Sequence, residues 1–185
     1  MIHPVGTQTI ETERCILRRI VPGDAHLMYE NWARHEEVYR FFPFDPIESE
    51  EAYREKVRRW AGNDESGSYF HWVIVWKENG EPVGTINLGH VEEDCLMSDT
   101  AYMLSPKYWN RGIMTEAVRA VLRYAFEQVG LNRVQAEVFD GNAASARVLQ
   151  KCGMQLEGTA RQRYRKDGAW VDVHQYAVVK GDFEK

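Results

Sequence analysis

The sequence predicts an α/β protein with a central mixed, mostly antiparallel sheet that is flanked by helices. Strand-like runs separated by turn residues recur along the chain, and one helical segment lies between two strands, which is typical of a strand-helix-strand unit with a right-handed crossover. The 185 residues, 44% of them hydrophobic, suffice for a full core but are few for two independent domains. Because no repeat, low-complexity tract or linker interrupts the chain, we expect one domain over residues 1–185.

The first part of the chain predicts one strand followed by two helices. The strand is expected over residues 15–20, after which Pro22-Gly23-Asp24 supplies a turn and an N-cap for a helix that runs to about residue 34. A second helix is expected over about residues 49–60, because its acidic first turn and basic last turn both suit the helix dipole.

Three strands are predicted next. Residues 69–77 and 82–88 are strand-like runs joined at Asn79-Gly80, a dipeptide that accepts positive φ angles and favours a tight hairpin. A third strand is expected over residues 96–104 and ends before Pro106.

The second half contains the strongest periodic signal. Apolar residues within 115–129 recur at helical spacing and form one stripe, which predicts an amphipathic helix. Residues 133–139 alternate apolar and polar side chains as a strand does, and Asn142 caps a helix that ends near Cys152. The last two strands are expected over residues 155–165 and 170–179, joined around Asp167-Gly168.

Composition excludes several classes of function. The 23 Lys and Arg against 28 Asp and Glu leave a net charge of −5, which argues against nucleic acid as the main partner. The longest apolar run, residues 72–76, is far below the roughly 20 residues that cross a bilayer, and residues 1–14 lack a signal-peptide pattern. We therefore expect a cytoplasmic protein without a membrane partner, whose three scattered cysteines are reduced thiols.

Common catalytic and nucleotide-binding motifs are absent from the sequence. It contains no G-x-G-x-x-G, no G-x-x-x-x-G-K-[ST], no G-x-S-x-G and no H-E-x-x-H motif. Its six histidines show no close metal-ligand spacing, so no metal is implied.

The most informative segment lies between the strand predicted over residues 96–104 and the helix predicted within residues 115–129. The first turn of a helix exposes unpaired N–H groups with partial positive charge, and Gly112 permits unusual dihedral angles and close approach of an anion. A pyrophosphate could bind there. A simple turn at Asn110-Arg111-Gly112 explains this segment equally well.

Residues elsewhere favour the anion-binding interpretation and identify a family. Asn142 opens a second helix directly after the next strand, and we expect the two helix starts, at Gly112 and at Asn142, to adjoin and to bind one nucleotide together. The segment from Tyr102 to Met154 resembles the acetyl-CoA-binding half of the GNAT superfamily of N-acetyltransferases, in particular the RimJ/RimL branch, which acetylates protein N-terminal amines. The residues that carry the resemblance are Tyr102-Met103-Leu104, Tyr108-Trp109-Asn110-Arg111-Gly112-Ile113-Met114-Thr115-Glu116-Ala117, Asn142-Ala143-Ala144-Ser145 and Lys151-Cys152-Gly153-Met154. The segments Arg14-Cys15-Ile16-Leu17-Arg18 and Asp172-Val173-His174-Gln175-Tyr176-Ala177 extend it over nearly the whole chain.

The resemblance implies a GNAT-like acyl-CoA N-acyltransferase fold and a set of site residues. In this fold, the pantetheine arm of acetyl-CoA would run as a pseudo-strand beside Met103 and Leu104, and Asn142 would hydrogen-bond that arm. The backbone amides that would cradle the pyrophosphate are those of Arg111, Gly112, Ile113, Met114 and Thr115. The loop departs from the usual superfamily pattern at Trp109 and Met114, and the latter leaves less room beside the phosphates.

The resemblance also implies a proton donor. Many relatives keep a tyrosine seven residues after the asparagine to protonate the departing thiolate, but this chain has Leu149 there. The RimJ/RimL branch is similar in using a serine three residues after the asparagine, and Ser145 occupies that place.

Each candidate has a purely structural alternative. Asn142 is a good N-cap whether or not a cofactor binds, and Ser145 could satisfy a local backbone N–H group. Glu116 could stabilise only the start of its helix. Asp99 is either a solvated strand residue or the catalytic base. The remaining, weaker candidates for the base are Tyr164 and Glu137.

The sequence favours direct attack by an amine. No cysteine has a visible base partner, so no acetyl-enzyme is expected. Deprotonation at pH 7 costs roughly 1 kcal/mol for an α-amine but about 4 to 5 kcal/mol for a lysine, which favours an α-amine when no strong base is evident.

The acceptor remains open at this point. A protein N-terminus, such as that of a ribosomal protein, is the leading acceptor, a small-molecule amine is the rival, and a non-catalytic acyl-CoA-binding module is the alternative from another class. Residues 39–44 would either wall the acceptor groove or anchor a loop to the core. The acidic residues that could attract a cationic amine, or form only a solvated turn, are Glu92, Glu93, Asp94 and Asp99. A homodimer is compatible with the sequence.

Overall fold

The computed structural model describes residues 2–63 and 70–183, and these build an eight-stranded mixed sheet. The strands lie in the order β1-β2-β3-β4-β5-β6-β8-β7, and every neighbouring pair is antiparallel except β5 and β6, which are parallel. The strands are β1 (Ile10–Glu11), β2 (Cys15–Arg19), β3 (Phe70–Trp76), β4 (Pro82–Glu92), β5 (Met97–Leu104), β6 (Arg133–Phe139), β7 (Gln155–Lys166) and β8 (Ala169–Val179). The predicted mixed, mostly antiparallel sheet is confirmed.

Helices cover both faces of this sheet. They are α1 (Ala25–Met28), α2 (Glu36–Tyr39), α3 (Glu50–Asn63), α4 (Ile113–Tyr124), α5 (Ala143–Lys151) and α6 (Lys180–Phe183). π-helical turns extend α1 through residues 29–33 and α4 through residues 125–129. Within the described ranges, no helix is long and apolar enough to cross a membrane.

Two apolar clusters form the core, one on each face. Because side chains alternate along a strand, Trp72 and Ile74 of β3 pack with α4 on one face, whereas Val73 and Val75 pack with α1 and α3 on the other. The apolar stripe predicted for α4 is buried in the first cluster. These alternating faces decide on which side of the sheet each functional side chain lies.

The predicted elements agree with the structure apart from short ones. The brief strand β1, the one-turn helix α2 and the terminal turn α6 were not predicted, since two to four residues carry too little periodicity. Asp24 does not cap α1 with its side chain; its carboxylate accepts from the Val21 N–H group and from the Arg18 guanidinium instead. The predicted strand start at Tyr69 lies outside the described residues.

Both predicted hairpins are confirmed. Gly80 has a φ of 72° between β3 and β4, and Asp167 and Gly168 have φ values of 50° and 81° between β7 and β8. Consecutive positive φ angles are typical of the turns that match the twist of antiparallel strands.

The two parallel strands separate along their length, and this opening positions the site. Within the described strands, β5 and β6 pair at Met97–Arg133, Ser98–Val134 and Asp99–Gln135, and their later residues are not paired with one another. Residues 100–104 and 136–139 therefore diverge and leave a gap between them, which we call the wedge.

Candidate active site

The first turn of α4 lies at the end of the segment that follows β5. Gly112 is the N-cap of α4 with a φ of +77°, and no described side chain caps this helix end. The amides of the first turn are therefore left for another acceptor, and the partial positive charge of the helix start favours an anion. This geometry fits the predicted phosphate-binding role.

Arg14, at the end of the segment before β2, holds this loop in place. Its main-chain N–H and side-chain Nε donate to the two carboxylate oxygens of Glu116 at 2.8 and 2.7 Å, and its Nη1 donates to the Arg111 carbonyl at 2.8 Å. Burial acts to raise the pKa of Glu116, but hydrogen bonds from Thr12 and Arg14 together hold it below its usual value. Glu116 is therefore ionised at neutral pH and anchors the loop.

Two apolar side chains of this segment, Ile113 and Met114, are buried in the core. The expectation that Met114 leaves less room beside the phosphates stays a prediction. The Arg111 guanidinium lies 5.4 Å from the ring centroid of Tyr108. The amides of residues 111–115 remain the groups that this loop offers to a ligand.

The start of α5 carries the second polar group. Asn142 caps α5 as predicted, because its Oδ1 accepts the Ser145 N–H at 3.2 Å. The Ser145 hydroxyl is not used for a local backbone bond; its Oγ lies 2.8 Å from the hydroxyl of Tyr102 on β5. Ser145 is thus joined to the strand that borders the wedge.

The two helix starts are not adjacent. The first turn of α4 contacts the other end of α5, where the Cys152 thiol donates to the Thr115 carbonyl at 3.5 Å. In the second turn of α4, Arg119 donates to the Lys151 carbonyl at 2.6 Å. At 1.5 Å per residue, the stretch from Ser145 to Cys152 rises about 10 Å. The exposed amides of α4 and the Ser145 hydroxyl therefore lie at opposite ends of α5.

The end of β5 borders the wedge between these two points. Leu104 pairs with Gly84 of β4, and its carbonyl accepts from the Trp109 indole at 2.9 Å. Met103 packs toward the α1–α3 face and Leu104 toward the α4 face. Both predicted arm-binding residues therefore lie where β5 has already separated from β6.

Asp99 lies at the closed end of the wedge. It belongs to the last β5–β6 pair, and its Oδ1 accepts from the side-chain amide of Gln135, its partner in that pair, at 2.7 Å. By strand alternation it shares the face of Met103 and lies on the side of the sheet opposite to Tyr102. The structure therefore does not place Asp99 beside Ser145.

The two weaker candidates for the base, Tyr164 and Glu137, are hydrogen-bonded to each other. Tyr164 donates its hydroxyl proton to Glu137 at 2.7 Å, and this hydrogen bond, with burial, raises the pKa of Tyr164. Glu137 also lies 3.5 Å from the Arg163 Nε. Two residues beyond Gln135 on β6, Glu137 shares the face of Asp99 at the open part of the wedge.

The aromatic stretch is anchored in the core at one end and exposed at the other. Tyr39 is buried and anchors the segment, whereas Phe44 is 43% exposed and its ring centroid lies 5.2 Å from that of Phe42. A Cβ added to Gly141, in the turn between β6 and α5, would lie 3.9 Å from Phe41. The segment therefore reaches the mouth of the wedge. Glu92, at the end of β4, and Glu93 and Asp94, in the turn that follows, are exposed.

Cys152 lies close to the site, and burial outweighs the opposing effect of Arg119 on its pKa. Burial raises the pKa of Cys152 to about 11, so the group is a thiol at neutral pH. Cys15 is likewise buried, with a pKa raised to about 11 by burial and by Glu116. A search of the described residues finds no group of three or more His, Cys, Asp or Glu side chains placed to hold a metal ion.

Sequence reasoning missed the contacts that join these parts. Tyr102 and Arg14 both belong to segments that carry the family resemblance. Their partners, Ser145 and Glu116, are 43 and 102 residues away along the chain. No local pattern predicts such pairs. The structure assembles an uncapped helix start, an open strand edge and a hydroxyl, groups whose chemistry suits an extended phosphorylated thioester.

Comparisons with known proteins identify the family of this chain. A family model described as an acetyltransferase (GNAT) domain matches residues 14–155. The uncharacterized N-acetyltransferase YoaA of Bacillus subtilis (strain 168) is 31% identical over 171 residues, which are 92% of this chain and 96% of the relative. The crystal structure of a GNAT-family acetyltransferase from Bacillus anthracis aligns with a TM-score of 0.82 and 25% identity, covering 94% of this chain and 99% of that one.

A further relative bears on the branch of the family. The ribosomal protein uS5-alanine N-acetyltransferase of Escherichia coli (strain K12) is 22% identical over 180 residues, which are 94% of this chain and 92% of the relative. The resemblance to RimJ/RimL-type enzymes is therefore confirmed at modest identity. The chain belongs to the GNAT family of N-acetyltransferases, enzymes that transfer an acetyl group from acetyl-CoA to an amine.

Proposed function

We propose that this enzyme acetylates a protein N-terminal α-amine by direct attack on acetyl-CoA held along the wedge. The observation that carries the proposal is the placement of the wedge between two polar ends, the uncapped first turn of α4 and the Ser145 hydroxyl. Neither end alone identifies a ligand, but together they match a donor with a phosphate at one end and a thioester at the other.

The residues present fit acetyl-CoA in charge and in length. The amides of Arg111, Gly112, Ile113, Met114 and Thr115 would receive the pyrophosphate, and Gly112 presents no side chain to obstruct it. About a dozen bonds join the phosphate oxygen of CoA to its sulfur, which corresponds to roughly four extended peptide units or about 14 Å. This length is of the same order as the rise along α5 that separates the two polar ends.

The arm of the donor would lie against the open edge of β5. Beyond Asp99 this edge has no β6 partner among the described residues, so Met103 and Leu104 can pair with an extended ligand as a strand would. Asn142 uses its Oδ1 to cap α5, and its Nδ2 would donate to an amide carbonyl of the arm. Capping and ligand binding are thus compatible roles for one side chain.

Ser145 and Asp99 would serve the two proton transfers. As the N–C bond forms and the C–S bond breaks, the sulfur keeps the bonding electron pair and takes the Ser145 hydroxyl proton. Asp99 receives the proton that the nitrogen loses, directly or through water, and solvent returns a proton to Ser145. Asp99 lies on the opposite face from Ser145, which suits an acceptor that enters from the side of the sheet opposite the leaving thiol.

An α-amine suits a site with so modest a base. Deprotonating an α-amine at pH 7 costs roughly 1 kcal/mol, whereas deprotonating an unperturbed lysine costs about 4 to 5 kcal/mol. The mouth of the wedge is lined by the aromatic segment that contains Phe41, which can accommodate the first residues of a peptide. The relative from E. coli, which by its name acts on an alanine of ribosomal protein uS5, supports a protein N-terminus as the acceptor.

A thiol-release assay tests this proposal. Purified enzyme and acetyl-CoA are incubated with short peptides that begin with Ala or Ser, with the same peptides blocked at the N-terminus, and with polyamines and amino sugars. We expect release of CoA with the free peptides and none with the blocked ones. Turnover with small amines alone would assign a small-molecule acceptor, and tight acetyl-CoA binding without release across the panel would indicate a non-catalytic module.

Substitution of Ser145 separates chemistry from binding. We expect Ser145→Ala to lower kcat by about 100-fold while changing the Kd of acetyl-CoA by less than about twofold. Unchanged turnover in this variant would remove Ser145 as the proton donor.

A further inference from the structure

A second hydroxyl shares the reacting end of the wedge. Tyr102 lies on β5 with its ring packed toward the α4 face, and its hydroxyl oxygen is 2.8 Å from Ser145 Oγ and 3.4 Å from the Ser145 carbonyl oxygen. The carbonyl oxygen accepts only, so the phenol has two possible acceptors on the same residue. The shorter contact favours the hydroxyl oxygen.

A serine in the first turn of a helix ordinarily turns its proton toward nearby backbone groups. To protonate a departing sulfur, its O–H must point into the wedge, and its oxygen must be stabilised as the proton leaves. Both requirements are met when another group donates to that oxygen. Asn142 bonds the Ser145 main-chain N–H and not the hydroxyl, which leaves Tyr102 as the donor that the structure supplies.

The surroundings of Tyr102 keep its own proton in place. Burial raises the pKa of Tyr102, and the nearby Cys152 acts in the same direction, although the hydrogen bond with Ser145 opposes it. The phenol therefore remains a donor throughout the neutral pH range.

We propose that Tyr102 is a positioning residue that donates its hydroxyl proton to Ser145 Oγ and thereby aims the Ser145 proton at the leaving sulfur. This inference rests on the proposed role of Ser145. Tyr102 keeps its proton during the reaction: Ser145 passes its own proton to the sulfur, and the bond from Tyr102 stabilises the oxygen until solvent restores that proton.

A double-mutant cycle tests the inference. We expect Tyr102→Phe to lower kcat at least about tenfold, with the KM and Kd of acetyl-CoA changed by less than about twofold. In the Ser145→Ala background the same substitution should lower kcat by less than about twofold, because the group it positions is gone. Tyr124→Phe is the matched control, since it removes another buried hydroxyl, bonded to the Gly6 carbonyl at 2.6 Å, away from the wedge.

The other outcomes overturn the inference and identify what failed. An equal fold-loss of kcat in both backgrounds, or a loss accompanied by weaker acetyl-CoA binding and a Tm lowered beyond that of Tyr124→Phe, would show a structural role. Full turnover in Tyr102→Phe, with Ser145→Ala impaired, would refute the positioning role alone. Full turnover in Ser145→Ala would instead refute the proposed proton donor, and the inference with it.

Discussion

Arg14 donates two hydrogen bonds to the carboxylate of Glu116, one from its main-chain N–H at 2.8 Å and one from its side-chain Nε at 2.7 Å. The same guanidinium donates to the Arg111 carbonyl. Arg14, the residue before β2, is therefore bonded to the chain on both sides of Gly112. Fixing the loop before a ligand arrives reduces the entropy that binding must overcome. The contact between Arg14 and Glu116 therefore fixes the loop that carries the exposed amides of α4.

Loosening this contact should weaken acetyl-CoA binding more than chemistry. We expect Glu116→Gln to raise the KM and Kd of acetyl-CoA about three- to tenfold while kcat stays within about twofold, as measured by steady-state kinetics and calorimetry. Glu157→Gln is the control, because it alters a different Arg–carboxylate pair, in which both terminal guanidinium nitrogens of Arg133 on β6 donate to Glu157 on β7. A fall in kcat with unchanged acetyl-CoA affinity would contradict the anchoring role.

Any side chain at position 112 should weaken the binding of acetyl-CoA. The φ of +77° at Gly112 costs an L residue about 1 to 2 kcal/mol, and a Cβ would lie 3.5 Å from the Arg14 Nη2. We expect Gly112→Ala to lower both the free energy of unfolding and the affinity for CoA. Gly168→Ala, at a φ of +81° with nothing within 4 Å, should lose similar stability and keep its affinity. Equal CoA affinity in the two variants would argue against pyrophosphate binding at α4.

No acetyl-enzyme should form. Burial raises the pKa of Cys152 to about 11, and a neutral thiol is a poor nucleophile. We expect intact-protein mass spectrometry after incubation with acetyl-CoA alone to show the unmodified chain, and Cys152→Ala to keep kcat within a few-fold. An acetyl adduct that disappears on addition of the amine would show a covalent route.

His71 should make the fold sensitive to acid. Burial, with a smaller contribution from Lys56, lowers the pKa of His71 to about 3, while the unfolded chain titrates near 6.5. Below pH 6.5 the unfolded state therefore binds a proton that the folded state does not, so stability falls as the pH drops from about 6.5 toward 3, by up to about 1.4 kcal/mol per pH unit.

Urea unfolding across that pH range measures this effect. His71→Phe should flatten the dependence, whereas substitution of the exposed His90 by Gln should leave it unchanged. If the variant does not fold, NMR of the His71 ring in the unchanged protein gives the answer. A ring that titrates near pH 6.5 would contradict the prediction.

The sequence predicts this architecture well where the signal is local. The apolar stripe of α4, the cap at Asn142 and the turn at Asp167-Gly168 each depend on residues close together in the chain, and all three are confirmed. Short-range patterns of this kind report dihedral preferences and one buried face.

The arrangement of the site depends on contacts that no local pattern encodes. The sequence suggested that the starts of α4 and α5 adjoin, but α5 runs so that its Cys152 end meets the first turn of α4. The pairing of Tyr102 with Ser145 and the side of the sheet on which Asp99 lies follow from strand register and helix packing. These are tertiary properties, and they decide how the two ends of a donor are held.

A crystal structure of the enzyme with bound CoA would test the central claim most directly. We expect the pyrophosphate to accept hydrogen bonds from amides of residues 111–115 and the sulfur to lie within about 3.5 Å of Ser145 Oγ. A pyrophosphate bound away from the first turn of α4, or a sulfur on the Asp99 side of the sheet, would contradict it.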